Sequence, residues 1–271
     1  MSQRTKRGRS RIDRASAQDL SLRSGVPHID RMINEVSAAD LRFSEVAEAV
    51  VWMFDQVRSG ARLPVMEAEA AAHALYVAMR PEGKVVVPQM ALPDLGVYPA
   101  VHGINVALLA MGAAEALKLE EGAVRAIGFA GLLHDIGMVR VPDELVFKAG
   151  ELTEDERAVM MRHPVDGAAI VLEADGSLDL VAVAAYEHHI KVDGSGYPAI
   201  IYRRASHQVS RLIAVCDCYH ALSCPRPFRA AWAADAIASF LQQRSGVDYD
   251  AEMIAAVTNL MRTDGTEVQG R

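Results

Sequence analysis

EHHIKVDGSGYP, residues 187–198, places two adjacent histidines directly before a glycine-rich turn that ends in Tyr-Pro. Two interpretations of this stretch are open. It is either an ordinary surface turn, or half of a metal site with a shaped loop lying over it. The polar residues elsewhere in the chain favour the second interpretation, because they occur where a helical core would otherwise be apolar.

The sequence around this stretch has the pattern of an all-α protein. Alanine-rich runs such as AEAAAHALYVAM (68–79) favour helix, and almost no segment shows the alternation typical of strands. Thr153 followed by Glu156 predicts a capping box at the start of a helix. Helices are predicted over residues 38–58, 65–79, 98–119, 120–137, 153–163, 178–190, 206–223, 230–243 and 250–262.

Composition limits the kind of protein that this chain forms. The formal charge of −7 argues against a general binder of polymeric nucleic acid, and three cysteines are too few for a disulfide framework. No run approaches the ~18 apolar residues that a membrane span needs. We therefore expect a soluble, cytoplasmic protein without a membrane segment.

A break in the helical pattern suggests how the chain is organised. Segment 80–96 contains three prolines and two glycines, which makes it our candidate boundary. We expect a disordered basic tail (1–20), a small N-terminal helical region (21–94) and a main helical domain (95–271). The N-terminal region carries no chemistry that we can name, and it suits regulation, dimerisation or docking of a signalling partner.

Several polar residues lie within apolar helical segments. His102 lies among apolar neighbours, the pair His134-Asp135 ends the run FAGLLHD, and Asp217 lies on an apolar face. Taken singly, His102 and Asp217 are typical of hydrogen-bonded core residues. The His134-Asp135 pair fits a cap or a buried hydrogen bond as well as a cation, because a buried carboxylate costs several kcal/mol unless it is compensated. His163 precedes Pro164, so backbone geometry fixes its position.

Taken together, these residues have the composition of a binuclear metal site. Imidazoles with carboxylates suit iron, manganese or zinc, and seven ligands are too many for one ion of ordinary coordination. Two metals bridged by a carboxylate fit the count, and such a pair suits phosphoester hydrolysis. The seven candidate ligands are His102, His134, Asp135, His163, His188, His189 and Asp217.

The order of these motifs resembles the HD-GYP domain, a variant of the HD phosphohydrolase fold. An early histidine is followed by HDIG, HP, HH with DGSGYP, and an aspartate before RPFR, and the resemblance runs from about Tyr98 to Met261. It also includes VPDELVFKAGELTEDE (141–156). The resemblance implies an all-α HD-domain bundle with a C-terminal GYP-type extension, preceded by the small N-terminal helical region.

The resemblance also implies an activity and its cofactors. Members of the family hydrolyse cyclic di-GMP to linear pGpG, and in some cases to GMP, by attack of a hydroxide that bridges two metal ions. Iron or manganese is expected rather than zinc. A third metal would need a carboxylate where this chain has Tyr98, so two ions are implied. One ion takes His102, His134, Asp135 and Asp217, and the other shares Asp135 and adds His163, His188 and His189.

Residues of the loop and of the RPFR motif are implied to handle the substrate. Asp135, Arg226 and Tyr197 are implied to be catalytic, the arginine by holding a phosphate and the tyrosine by lining the substrate side. Gly196 and Asp193 are implied to bind substrate with them.

The chain departs from the family pattern at positions that affect substrate rather than metal. Met138 stands where the family has a lysine near the phosphate, and Arg140 is a candidate substitute for that cation. Other departures are Ile190, Ala199-Ile200 and His220. Two alternatives therefore stay open. Instead of the cyclic di-GMP phosphodiesterase that we expect, the protein would be a catalytically weak sensor or partner-binding module, or a hydrolase of a different cyclic dinucleotide or other phosphoester.

Overall fold

The computed structural model describes residues 43–80, 87, 98–199, 205–225 and 229–263. Within these ranges the protein is helical without an extended sheet, and isolated β-bridges join Ile190 with Gly196 and Ser245 with Tyr249. The prediction of an all-α fold is confirmed. The predicted tail (1–20) lies outside the described residues, as does nearly all of segment 80–96, so the division into domains stays a prediction.

The helices follow one another with short connections. In chain order they are α1 (Phe43–Arg58), α2 (Val65–Ala78), α3 (Tyr98–Ala116), α4 (Glu121–Leu133), a 3₁₀ helix (Ile136–Arg140), α5 (Asp143–Val146), α6 (Glu154–Met160), α7 (His163–Ala174), α8 (Asp179–Glu187), α9 (Gln208–Ser223), α10 (Ala234–Gln243) and α11 (Ala251–Thr263).

Most predicted helices are present, with bounds that differ by a few residues: the helix predicted over 230–243 begins at Ala234, and the one predicted over 98–119 ends at Ala116. The capping box of α6 is confirmed, because Thr153 Oγ1 accepts from the Glu156 amide at 3.3 Å and Glu156 Oε2 accepts from the Thr153 amide at 2.8 Å. Helix α4 ends at Leu133, before the predicted 137, so His134 and Asp135 lie in a turn. This turn frees their side chains from the helix surface.

Helix α3 is the centre of the bundle. Every residue from Tyr98 to Ala114 is buried, and α3 packs against α1, α2, α4, α9 and α11. The buried side chains of Val50 and Leu75 bring α1 and α2 into the same hydrophobic core. The described part of the N-terminal helical region therefore shares a core with the later helices.

One stretch has the length and composition of a membrane span. Residues Glu121–Arg140 have a mean hydropathy of 1.2 over an 18-residue window, contrary to our expectation that no run would approach that limit. Of that window, 72% is buried inside the protein, as in the core helix of a soluble protein. The stretch is therefore weak evidence for a membrane segment.

Candidate metal centre

Five helices deliver the seven candidate ligands to one place in the bundle. His102 lies in α3, Asp217 in α9, and His163 at the start of α7, whereas the other four follow the carboxyl ends of α4 and α8. His102, His134, His163 and His188 are each no more than 3% exposed. Tertiary packing therefore brings together polar residues that lie more than a hundred positions apart in the chain.

Three of the histidines are oriented by the same local device. In His134, His163 and His188, Nδ1 lies 2.8–2.9 Å from the carbonyl oxygen of the residue three positions earlier. A carbonyl only accepts, so Nδ1 carries the proton in each ring. A neutral ring then keeps an unprotonated Nε2, which is the state that binds a metal ion.

The ligand atoms form two groups that meet at Asp135. Group A, as we call it, consists of His102, His134 and Asp217, and group B consists of Asp135, His163, His188 and His189, with ligand atoms within 4.8 Å of one another in each. Asp135 Oδ2 lies 3.8 and 3.7 Å from the Nε2 atoms of His102 and His134, whereas Oδ1 lies 3.2 and 3.4 Å from those of His163 and His188. Each carboxylate oxygen therefore faces one group, as a bridging ligand would.

The polar atoms of this centre fit divalent cations. His134 Nε2 and Asp135 Oδ1 are buried and have no hydrogen-bond partner among the described residues, and leaving such an atom unpaired costs about 1–3 kcal/mol. The Nε2 atoms of His163 and His188 lie 3.2 Å apart, although their Nδ1 atoms carry the ring protons. Two facing lone pairs repel unless a cation lies between them. Imidazole and carboxylate ligands suit iron, manganese or zinc.

Electrostatics favour the metal-binding protonation state in four of the seven ligands, whereas for His163 the hydrogen bond and charge of Asp135 outweigh burial and raise the pKa in the absence of a cation. Burial alone would raise the pKa of Asp135 and of Asp217, but the surrounding histidines outweigh it and lower both. Burial lowers the pKa of His134 to about 4, and burial with the neighbouring His188 lowers that of His189. At neutral pH the two carboxylates are therefore ionised, and His134 and His189 are neutral.

The stretch that follows the two histidines folds back over group B. The Tyr197 amide donates to the His189 carbonyl at 3.2 Å, and the two rings lie 4.6 Å apart. A cavity of about 150 Å³ opens beside them, lined by His189 and Asp217 and by Lys191, Tyr197 and Tyr249. The loop thus forms one wall of a cavity that reaches both groups.

The loop residues that we predicted to bind substrate differ in position. Gly196 lines the cavity, with a φ of +91°. Asp193 is exposed, and its Oδ1 accepts from the Ser195 amide at 2.8 Å, so the structure shows it stabilising the turn, and its substrate contact stays a prediction. The predicted phosphate contact, Arg226, lies outside the described residues.

Gly196 supports a prediction about this loop. A Cβ at this position would lie 2.2 Å from the His189 carbonyl oxygen, and the positive φ adds strain. We expect Gly196→Ala to destabilise the protein by about 2 kcal/mol and to weaken Mn²⁺ binding about tenfold, because His189 must move. Urea unfolding and Mn²⁺ titration measure both effects.

Gly194 provides a matched control for that prediction. It also has a positive φ, +86°, but an added Cβ would meet no atom within 4 Å. Gly194→Ala should cost only about 1 kcal/mol and leave Mn²⁺ affinity unchanged. Equal losses in the two variants would contradict the close approach of Gly196 to His189 as the cause.

Arg140, the candidate substitute for the lysine that Met138 replaces, does not line the cavity beside the metal centre. Arg140 lies 3.6 Å from Asp166 and lines a separate cavity with Arg58 and Arg62. The suggestion that Arg140 supplies the cation near the phosphate is therefore not supported. Lys191, which the sequence analysis did not single out, lines the cavity beside group B, with Nζ 2.9 Å from Asp248.

Glu187 is a second residue that the sequence analysis missed. It is 2% exposed, and its Oε2 accepts from the His207 amide at 2.7 Å and from Ser210 Oγ at 3.0 Å. These bonds attach the end of α8, where the two histidines follow, to the start of α9. Its place directly before the two histidines could have drawn attention to it. Its partners could not be read from the sequence, because they lie about 20 positions away.

Comparison with known proteins identifies the class to which this fold and centre belong. The profile of the HD domain family matches residues 87–253. The chain therefore belongs to the HD domain family. Its similarity to proteins named cyclic di-GMP phosphodiesterases supports an HD-GYP-like member of that family. An HDG"Y"P protein from Bdellovibrio bacteriovorus has a similar fold, with a TM-score of 0.55 at 16% identity over 80% of this chain and 68% of its own.

Two relatives have activities in their names. A cyclic di-GMP phosphodiesterase of Pseudomonas aeruginosa is 33% identical over 75% of this chain and 49% of its own length. A 3'3'-cGAMP-specific phosphodiesterase of Vibrio cholerae is 33% identical over 52% of this chain and 32% of its own length. The chain thus matches half or less of the length of these relatives.

Proposed function

We propose that this protein is a metal-dependent phosphodiesterase that hydrolyses a cyclic dinucleotide, with cyclic di-GMP as substrate and linear pGpG as product. The observation that carries the proposal is the pair of His/Asp groups that share Asp135 beside an open cavity. The names of the two relatives support the substrate class. Three free cysteines suit a reducing compartment, so we propose a cytoplasmic location.

Two divalent cations, iron or manganese in our proposal, would activate the attacking water and neutralise the charge on the phosphate. Groups A and B would each hold one of these ions. Burial, with the charges of Asp135 and Asp217, raises the pKa of Tyr197, so its hydroxyl stays protonated and can donate to a phosphate oxygen in the cavity. Lys191 provides the cation on the same wall, in place of the lysine that Met138 replaces.

The test is an assay of metal content and hydrolysis on one preparation of the full chain. The protein is purified anaerobically, and metal per chain is measured. It is then incubated with cyclic di-GMP and Mn²⁺ or Fe²⁺, and products are separated by chromatography. About two ions per chain with linear product supports the proposal. A chain that binds no metal would contradict it.

The same assay separates two further candidates. A panel of cyclic di-GMP, 3'3'-cGAMP and cyclic di-AMP compares kcat/KM, and a preference for cGAMP would place the chain with its Vibrio cholerae relative instead. The buried Met138 favours the second candidate, a sensor that binds without rapid turnover. Two bound ions with nucleotide binding and no hydrolysis of any panel member would support that sensor.

A further inference from the structure

His220 occupies a buried position behind the metal centre. It lies on α9, three residues after Asp217, and is 1% exposed. Its Nδ1 lies 2.7 Å from Nδ1 of His102, and its Nε2 lies 2.8 Å from the amide nitrogen of Asn105 and 3.2 Å from Cys224 Sγ, a weak donor and acceptor that is compatible with either direction of the Nε2 proton. The side chains of Asn105, His220 and His102 therefore form a row that ends at a candidate ligand of group A.

His102 differs from His134, His163 and His188 in the partner of its Nδ1. Those three rings bond a backbone carbonyl, which only accepts. The Nδ1 of His102 instead faces another imidazole, which can donate or accept. The orientation and proton position of His102 therefore depend on a side chain, and through it on Asn105.

With both rings neutral, the row has two consistent hydrogen-bond directions. As the atoms stand, Asn105 Nδ2 donates to His220 Nε2, His220 Nδ1 donates to His102 Nδ1, and His102 Nε2 donates to Asp217 Oδ1 at 2.9 Å. A cation on His102 Nε2 excludes the proton there. His102 Nδ1 must then donate to His220, whose Nε2 donates to the Asn105 amide oxygen after a 180° rotation of the amide. Each ring keeps one proton, so the change is neutral overall.

We propose that His220 and Asn105 are positioning residues that hold His102 as a ligand of the group A cation by this reversible row of hydrogen bonds. The proposal rests on the metal centre of the proposed function. It assigns a role to His220, which stands where the resembled family has an aspartate. A carboxylate at that place can only accept, whereas the His220–Asn105 pair adapts to either state of His102.

The test uses the full chain, freed of metal with chelator and titrated with Mn²⁺ alone. His220→Phe keeps a ring but removes the acceptor, and we expect affinity for one of two ions to fall about 10–100-fold while the group B ion is retained. His220→Asp should restore that affinity, because its carboxylate accepts from His102 Nδ1. His207→Phe is the matched control, because it removes a histidine that caps α9 by accepting from the Val209 amide at 3.2 Å but is not part of the row; it should lower stability yet bind both ions as the wild type does.

A second pair of variants tests the row if His220→Phe fails to fold. In Asn105→Asp the new carboxylate can only accept from His220 Nε2. This is the hydrogen-bond direction of the metal-bound row, so the variant should keep the wild-type affinity for Mn²⁺. Asn105→Leu should lose it about tenfold. Thermal unfolding in chelator establishes that each variant is folded before titration.

The outcomes distinguish this proposal from the proposed function. The row would be overturned if His220→Phe bound both ions with wild-type affinity, or if His220→Asp bound Mn²⁺ no more tightly than His220→Phe. Either result leaves the proposed function standing as long as the wild type hydrolyses the substrate. Two ions in the wild type without hydrolysis would overturn only the proposed function. A wild type that binds no Mn²⁺ would overturn both.

Discussion

Asp135→Ala should remove both metal ions and reduce hydrolysis of cyclic di-GMP by on the order of 10³-fold. The reason is the position of the carboxylate between the two groups. Its Oδ2 faces His102 and His134, and its Oδ1 lies 3.2 Å from His163 Nε2. Losing this side chain takes one ligand from each cation, whereas losing any other ligand affects only one group.

Metal content and initial rates of hydrolysis measure this effect in the same samples. Asp166→Asn is the matched control, because Asp166 is also a half-buried aspartate near the centre, but it pairs with Arg140 and Arg162 and belongs to neither group. It should keep about two ions per chain and nearly the wild-type rate. An Asp135→Ala variant that retains one firmly bound ion would contradict the shared role of the carboxylate.

Gly137→Ala should destabilise the protein by about 3 kcal/mol and weaken the group B site. A Cβ at this position would lie 2.0 Å from the His163 carbonyl oxygen and 2.6 Å from the Gly167 amide nitrogen. Both atoms belong to the backbone, so no side-chain rotation relieves the clash. The 3₁₀ helix must move away from α7, which separates Asp135 from His163.

Urea unfolding in chelator measures the stability, and Mn²⁺ titration measures the effect on the site. Gly122→Ala is the matched control, because Gly122 lies in α4 and an added Cβ would meet no atom within 4 Å. It should leave stability unchanged or raise it by up to about 1 kcal/mol, as alanine does in helices. Similar stabilities in the two alanine variants would contradict the close packing at Gly137.

The loop that follows His189 forms the cavity wall where we propose that substrate binds, and it is attached to a distant turn of the chain. Tyr197 and Lys191 line the cavity, and the Lys191–Asp248 ion pair and the Asp193 amide bond to the Val247 carbonyl at 3.0 Å attach the loop to the turn before α11. The GYP-type stretch is therefore supported from outside the five helices that hold the metal ligands. A change in that turn would reach the cavity without touching a ligand.

The sequence by itself determined the helical class and the identity of the seven candidate ligands. Both follow from patterns that are local or ordered along the chain. The capping box of α6 needs only Thr153 and Glu156, and the ligands belong to short motifs whose order is informative without coordinates. Such patterns can be read from the sequence because successive residues of a helix follow at a fixed angular spacing.

Only the tertiary structure decided which side chains face one another. His102 and His220 are 118 positions apart, and Nδ1 of each lies 2.7 Å from the other because α3 packs against α9. Packing likewise directs Arg140 away from the centre and Lys191 into the cavity. It also assigns one oxygen of Asp135 to each group. Side-chain direction depends on where helices end and cross, and many distant contacts fix those positions jointly.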